Sequence, residues 1–175
     1  YAYWEQPDGF LHAEGSDSQN VHNTIEELNK KIESLCATLQ DTVVFITADH
    51  GHIDIQMDYF EENYPDFTKM LVRPVSIEPR GISFYVKDEF IPVFKERFLE
   101  LFGSDYLIFS KEEVFQNKLF GPGNPHPNLT GLGDFLAPAI GTKTMFWNKT
   151  SPIFKSHHAG LTSQEMKIPL IVVEK

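Results

Sequence analysis

Apolar residues recur at helical spacing in the first quarter of the chain. From Ser18 onward they are separated by steps of four, three, four, three and four residues, at Val21, Ile25, Leu28, Ile32, Leu35 and Leu39. This period predicts a helix of about 20 residues with one apolar face, capped by Asp17 or Ser18. The aromatic start Tyr1–Glu5 predicts a strand before the helix, and the apolar run Thr42–Ile46 predicts a buried strand after it.

The order strand, helix, strand is typical of a βαβ unit. Because the crossover in such a unit is right-handed, we expect the two strands to run parallel and the loops after Glu5 and Ile46 to lie side by side. A sequence that opens within a strand and without methionine also leads us to expect the carboxyl-terminal part of a longer protein.

The pattern changes after Asp58, where Pro65, Pro74 and Pro79 interrupt regular structure. Beyond them the pattern predicts a series of short elements: a strand over 81–86, a helix over 88–102, a strand over 106–109, a capped helix over 111–117, a loop over 121–128, a hairpin of strands 134–139 and 142–147 turning at Ile140-Gly141, a second capping box at 162–165 and a buried strand over 168–173. We therefore predict an α/β fold with a mainly parallel sheet in residues 1–69 and 149–175, and a small inserted α+β subdomain in residues 70–148.

Composition narrows the function classes. The formal net charge is -10, from 15 basic and 25 acidic residues, which argues against a nucleic acid polymer as a partner because phosphate backbones attract basic patches. Cys36 is the only cysteine, so an intrachain disulfide is excluded and a reducing compartment such as the cytoplasm is expected. The chain has no run of 18 apolar residues that would predict a membrane span. The glycosylation patterns at Asn128 and Asn148 are discounted as chance matches.

Candidate ligands for a metal follow the predicted strands. Asp49 and His50 come directly after the run that ends at Ile46, and Asp8 and His12 lie in a predicted loop after the first strand. In open α/β sheets ligands bind outside the carboxyl ends of strands. Gly51 lets the backbone there approach closely or adopt a positive φ. With His158 near the end of the chain, these carboxylates and imidazoles are ligands of the type that zinc takes.

Three motifs carry a resemblance to a known family. Asp8–His12 reads Asp-x-x-x-His, Thr47–Gly51 reads Thr-Ala-Asp-His-Gly, and His158–Leu161 reads His-Ala-Gly-Leu. In this order they resemble the alkaline phosphatase superfamily, most closely the type I phosphodiesterases and nucleotide pyrophosphatases. The resemblance covers both ends of the chain well and the middle only loosely, through Glu78-Pro79-Arg80.

The resemblance implies an alkaline-phosphatase-like sandwich and two divalent metal ions, with zinc the expected metal. Asp8, His12 and His158 would hold one ion, and Asp49 and His50 the other. The nucleophilic threonine or serine of the family precedes the Asp-x-x-x-His motif, so it would lie upstream of Tyr1. The implied reaction is hydrolysis of a phosphodiester or pyrophosphate bond in a small phosphorylated substrate such as a nucleotide.

Alternatives stay open for both residues and function. Thr47 is interpreted as a structural strand-end residue, His157 as a supporting or surface residue, and His22 as solvated. His126 is interpreted as a residue of a solvent-facing turn, with contact to substrate as the alternative. His52 is interpreted as an exposed loop histidine, with orientation of a ligand or contact to phosphate as the alternative. Hydrolysis of phosphonates, hydrolysis or transfer of phosphate monoesters, and a noncatalytic metal-binding interaction module are the competing functions. For the isolated chain we expect no activity.

Overall fold

The computed structural model describes residues 1–124, 126 and 131–175, so the predicted loop over 121–128 lies partly outside the described residues. The helices are α1 Asp8–Glu14, α2 Gln19–Thr38, α3 Phe60–Asn63, α4 Pro65–Thr68, α5 Ile91–Phe102, α6 Lys111–Gln116 and α7 Ser163–Met166, with a 3-10 turn at Asp88–Phe90. The strands are β1 Val43–Thr47, β2 Ile53–Asp54, β3 Gln56–Tyr59, β4 Ser76–Glu78, β5 Gly81–Phe84, β6 Phe109–Ser110, β7 Phe135–Pro138, β8 Lys143–Phe146, β9 Ser156–His157 and β10 Leu170–Glu174.

The described residues form two compact units. The first contains residues 1–55, 153–158 and 163–175, and the second contains residues 56–152 and 159–162. The division into a core of 1–69 and 149–175 and an insertion of 70–148 stays a prediction. None of the helices in the described part of the chain is both long and apolar enough to cross a membrane.

The first unit is built from helices and two short antiparallel ladders. The predicted long helix is α2, and its N-cap is Ser18, whose hydroxyl accepts a hydrogen bond from the backbone N–H of Asn20. Strand β1 pairs with β10, from Val43 opposite Glu174 to Thr47 opposite Leu170. Strand β2 pairs with β9 over two residues.

Three local predictions for this unit are wrong. Tyr1–Glu5 forms no strand, and within the described residues no ladder partner satisfies its backbone groups. Asp8–His12 lies in helix α1 rather than in a loop, despite the neighbouring proline and glycine. The two strands predicted to be buried, 42–46 and 168–173, are not buried, because they pair only with each other in the described chain; Phe45 of β1 is 68% exposed and Leu170 of β10 is 70% exposed.

The second unit has a four-stranded antiparallel sheet in the order β4-β5-β7-β6 and a parallel pair, β3 with β8. Its core is rich in aromatic rings from the helices and from β5; Phe60, Phe67, Phe84, Phe94, Phe98 and Phe102 are all buried. The capping box predicted at Ser110 is present, with Ser110 and Glu113 each bonding the other's backbone N–H. Pro92 stands in the first turn of α5, where a missing N–H is tolerated.

The predicted hairpin at Ile140-Gly141 is wrong. Strand β7 pairs with β5 and β6, whereas β8 pairs with β3. The connection is held by other partners, because the N–H groups of Ile140 and Gly141 both donate to the Asp105 carbonyl. Buried Arg80 donates to the Gly141 carbonyl and to the Thr144 hydroxyl. Long-range hydrogen bonds therefore override the local turn signal.

A tyrosine–aspartate pair in this unit makes stability depend on pH. The Tyr64 hydroxyl donates to Asp58 at 2.8 Å. Burial, and then the bond to Asp58, raises the pKa of Tyr64 from 10.0 to about 12. Because the folded state holds this proton more tightly than the unfolded state, the contribution is fully present below pH 10 and is lost as the pH rises to about 12.

We expect Tyr64→Phe to lower the free energy of unfolding by about 1.5 kcal/mol near neutral pH, since a hydrogen bond to a carboxylate is lost. The variant should also lose less stability than the wild type between pH 10 and pH 12. Urea denaturation across this range tests both points, with Tyr1→Phe as the control because Tyr1 is fully exposed. Parallel stability curves for Tyr64→Phe and wild type would contradict the assignment.

Candidate metal centre

Helix α1 supplies the first two predicted ligands. Asp8 and His12 are four residues apart in the helix, so their side chains lie on one face. His12 is further held at both ends, since its carbonyl accepts from the backbone N–H of Lys155 at 2.8 Å and its Nδ1 lies 3.0 Å from the Ser156 carbonyl. A carbonyl only accepts, so Nδ1 carries the hydrogen. The Nε2 atom of neutral His12 is then free to bind a cation.

The end of β1 supplies the second pair. His50 lies 3.7 Å from Asp49, measured from Nε2 to Oδ1, and its Nδ1 lies 3.1 Å from the Gly51 carbonyl. The same polarity argument therefore leaves Nε2 of neutral His50 without a hydrogen. Asp49 is exposed. Thr47, interpreted above as structural, donates its hydroxyl to the Pro169 carbonyl at 2.8 Å.

Gly51 fixes the loop by close approach rather than by a positive φ. Its N–H donates to the Glu165 carbonyl at 2.8 Å. A Cβ atom at this position would lie 1.9 Å from the carbonyl oxygen of Gln164. Only glycine therefore lets these two backbone segments meet, and the histidines on either side of Gly51 are positioned by that contact.

The ladder between β2 and β9 brings the two ends of the first unit together. Ile53 pairs with His157 and Asp54 with Ser156, so His52 and His158 stand at the same end of the ladder. His157 is buried, and its ring packs edge-on against His12, with 4.6 Å between ring centroids. This buried position agrees with the interpretation of His157 as a supporting residue and not with its interpretation as a surface residue.

Four side chains converge on one point. The potential ligand atoms of Asp8, His12, His52 and His158 all lie within 4.8 Å of one another. From Oδ1 of Asp8, the Nε2 atoms of His52, His12 and His158 lie 2.8, 3.6 and 3.8 Å away. These distances bracket the separation of about 3.3 Å that two ligands of a tetrahedral zinc ion adopt. The donor set therefore fits a divalent cation of the zinc type.

The surroundings of Asp8, His52 and His158 shift their pKa values in the directions that favour binding of a cation. Burial opposes ionisation of Asp8, but its hydrogen bond with His52 and the nearby imidazoles outweigh that effect and lower its pKa below 3.8. Burial, and then the imidazoles of His50, His52 and His157, lower the pKa of His158 from 6.5 to about 4. Burial also lowers the pKa of His52. The Asp8 carboxylate thus faces the neutral imidazoles of His52 and His158 at neutral pH, which is the protonation state that metal binding requires.

The predicted ligands do not all meet in this group. Asp8, His12 and His158 do, whereas Asp49 and His50 form a neighbouring pair in which the His50 ring stacks on His158, with 3.8 Å between centroids. Proximity of the loops was predicted from two parallel strands, yet it arises here from helix α1 and the β2–β9 ladder. The metal-binding roles of the five residues remain predictions.

Sequence reasoning misjudged His52, whose side chain is 5% exposed rather than solvated. A signal was available, because alternate residues of an extended segment point the same way, and His52 stands two residues after His50. The interpretations of the remaining histidines agree with their positions, since His22 and His126 are exposed.

Comparison with known proteins bears on the same residues. Residues 1–89, just over half of the chain, match the type I phosphodiesterase/nucleotide pyrophosphatase family, a stretch that contains both Asp8–His12 and Thr47–Gly51. The chain belongs to this family. Its membership confirms the resemblance drawn from the three motifs. At the level of whole sequences, none of the curated proteins matches the chain.

Solved structures with the same fold include family members. Human ectonucleotide pyrophosphatase/phosphodiesterase 5 aligns over 98% of this chain and 46% of its own length, with 16% identity and a TM-score of 0.73. An inactive variant of the murine protein in complex with AMP aligns over 96% and 45%, with 18% identity and a TM-score of 0.68. Phosphonoacetate hydrolase from Sinorhizobium meliloti 1021 in complex with phosphonoformate aligns over 94% and 43%, with 16% identity and a TM-score of 0.68.

This family member therefore has the mixed α/β fold of the alkaline phosphatase superfamily, with several small sheets and one parallel pair among the described strands. The α/β fold class predicted from the sequence is confirmed, but the sheet is not mainly parallel in the described residues, where β3 with β8 is the one parallel pair and the other five strand pairs are antiparallel. The chain spans less than half the length of the structures that it matches.

Proposed function

We propose that the full-length protein hydrolyses a phosphodiester or pyrophosphate bond of a small phosphorylated substrate, such as a nucleotide, at a centre of two divalent metal ions. The observation that carries the proposal is the convergence of one carboxylate and three imidazoles from the family motifs and their neighbourhood. Asp8, His12 and His158 would hold one ion, and Asp49 and His50 would contribute to the second. Imidazole and carboxylate ligands favour zinc.

The protein's own residues prepare the site for this chemistry. Asp8 supplies negative charge, and hydrogen bonds from Nδ1 to backbone carbonyls leave Nε2 of His12, in helix α1, and Nε2 of His50, in the loop after β1, as the nitrogens that can bind a cation. Ions bound there would lower the pKa of a nucleophilic hydroxyl and stabilise the phosphoryl oxygens.

The nucleophile is proposed to lie on a segment that precedes Tyr1. The hydroxyl groups of Ser156 and Thr47 lie near the candidate ligands, and both are hydrogen-bonded. Ser156 is fully buried with its hydroxyl between His52 and the Leu11 carbonyl, and Thr47 donates to Pro169. Neither is available for attack on phosphorus, which supports a nucleophile from elsewhere.

Two of the solved structures with this fold contain a bound phosphorus compound. The murine protein with this fold holds AMP, which favours a nucleotide, and the bacterial phosphonoacetate hydrolase holds phosphonoformate. Phosphonate hydrolysis is therefore the second candidate. A panel of nucleotide diesters, phosphate monoesters and phosphonates, assayed with the same preparation, separates the two by their relative kcat/KM.

Metal analysis tests the proposal directly. We expect about two equivalents of zinc or a similar metal per full-length chain, and loss of diester hydrolysis after chelation that returns when zinc is restored. Asp49→Asn should reduce the metal content to about one equivalent and leave the group around Asp8 loaded. Absence of bound metal under metal-replete conditions would overturn the proposal.

A further inference from the structure

His52 is placed as an equal member of the converging group, although the family motifs do not include it. The ring centroids of His12, His52 and His158 are separated by 4.8, 5.0 and 5.2 Å, which makes a nearly equilateral triangle. Asp8 faces all three rings. A triangle of imidazoles with a carboxylate beside it is the shape of a four-ligand site.

A chain of three close contacts runs from Asp8 through His52 to the protein interior. Nε2 of His52 lies 2.8 Å from Asp8, Nδ1 lies 3.0 Å from the Ser156 hydroxyl, and that hydroxyl lies 2.8 Å from the Leu11 carbonyl. The Ser156 hydroxyl has one hydrogen, so it donates either to His52 or to Leu11. The two choices give opposite tautomers of His52.

If Ser156 donates to His52, the hydrogen of the ring is on Nε2 and points at Asp8. If Ser156 donates to Leu11, whose carbonyl has a second lone pair beyond the one that Gly15 uses, the ring hydrogen is on Nδ1 and points at Ser156. In that second arrangement the lone pair of Nε2 faces the carboxylate. The two would repel each other unless a proton, as in the imidazolium form, or a metal cation lay between them.

We propose that His52 is the fourth protein ligand of the ion held by Asp8, His12 and His158, through Nε2, and that Ser156 sets its tautomer by accepting from Nδ1 and donating to Leu11. A ring N–H donated to a fixed acceptor is the usual way in which proteins orient a metal-binding histidine. The proposal rests on the proposed function in one respect, that this centre binds a divalent cation.

Two substitutions of His52 separate a ligand from a residue that only positions Asp8. His52→Gln keeps an N–H donor for Asp8, but its amide nitrogen has no lone pair for a metal. We expect His52→Gln and His52→Ala both to change the visible absorption of one equivalent of Co²⁺ bound to the full-length protein. Both should lower its affinity at least about 100-fold, beyond what outer-shell changes cost. An unchanged spectrum and affinity in His52→Gln would overturn the proposal.

Ser156→Ala provides the matched control for the tautomer. We expect it to lower Co²⁺ affinity by about 10- to 100-fold, since His52 loses its fixed partner, while the absorption spectrum keeps the wild-type shape because the ligands are the same. A spectrum like that of His52→Gln, or an affinity equal to wild type, would contradict the role given to Ser156. Thermal melts of the metal-free variants verify that each one folds.

The ligands can also be identified in the wild-type protein by nuclear magnetic resonance, without any substitution. With ¹⁵N-labelled histidine and one equivalent of ¹¹³Cd²⁺, we expect three imidazole Nε2 signals coupled to cadmium, including that of His52. Two coupled signals, with His52 uncoupled, would overturn the proposal and leave the proposed function intact. No binding of cadmium, cobalt or zinc by the wild type would overturn both.

Discussion

His158→Ala is expected to lower the metal affinity of the full-length protein at least about 100-fold and to abolish most of its activity, whereas His157→Ala lowers affinity less than about 10-fold. The two residues are neighbours, but their surroundings differ. Nε2 of His158 lies 3.8 Å from Asp8 within the converging group, while His157 is buried behind His12 and outside that group.

The stability of each metal-free variant is measured as a control, so that a loss of metal binding can be distinguished from a loss of folding. His157→Ala removes a buried ring that packs against His12 and Phe154, so we expect a loss of about 2 kcal/mol in stability of the metal-free protein. Chelator competition for zinc and urea denaturation of both metal-free variants give the two rankings. If His157→Ala weakened metal binding more than His158→Ala, the alignment of this chain on the family histidine would be wrong.

Gly51→Ala is expected to lower the free energy of unfolding by about 3 kcal/mol or more, because the new Cβ would meet the Gln164 carbonyl oxygen at 1.9 Å. The new Cβ is fixed to the backbone of residue 51, and the Gln164 oxygen is itself a backbone atom, so neither can move aside as the end of a flexible side chain would. The separation needed to relieve this contact also breaks the bond from Gly51 to the Glu165 carbonyl. Because His50 and His52 flank this glycine, metal affinity should fall together with stability.

Gly123→Ala is the matched control for this substitution. A Cβ at Gly123 would meet no atom within 4 Å, so its effect should stay within about 0.5 kcal/mol. Thermal and urea denaturation of the two variants give the comparison. Equal stability of Gly51→Ala and wild type would mean that the two backbone segments are not held in contact in solution.

Local signals predicted the elements whose stability is local. The apolar period of α2 and its Ser18 cap, the capping box at Ser110, and the run that forms β1 are all encoded within about 20 residues, and each is present. Helix α1 escaped prediction because Pro7 and Gly9 are typical of loops. Its Asp8-x-x-x-His12 motif already had the spacing of one helical face.

Failures arose where distant partners decide the structure. The connection at Ile140-Gly141 is held by hydrogen bonds to Asp105 and Arg80, which are distant in sequence. The local turn residues do not reveal these partners. The candidate site shows the same contrast between features encoded locally and features set by distant residues. Its family residues were readable as motifs, but the position of His52 depends on Ser156, 104 residues away.

The distance along the chain between the parts of the centre has a consequence for biosynthesis. His12 contacts Ser156 across 144 residues, so the group around Asp8 cannot close until the ribosome has released almost all of residues 1–175. Closing so long a loop is entropically costly, and metal binding would offset part of that cost. A chain that ends before Ser156 would therefore lack the residue that holds His12, and the group of Asp8, His12, His52 and His158 would not form.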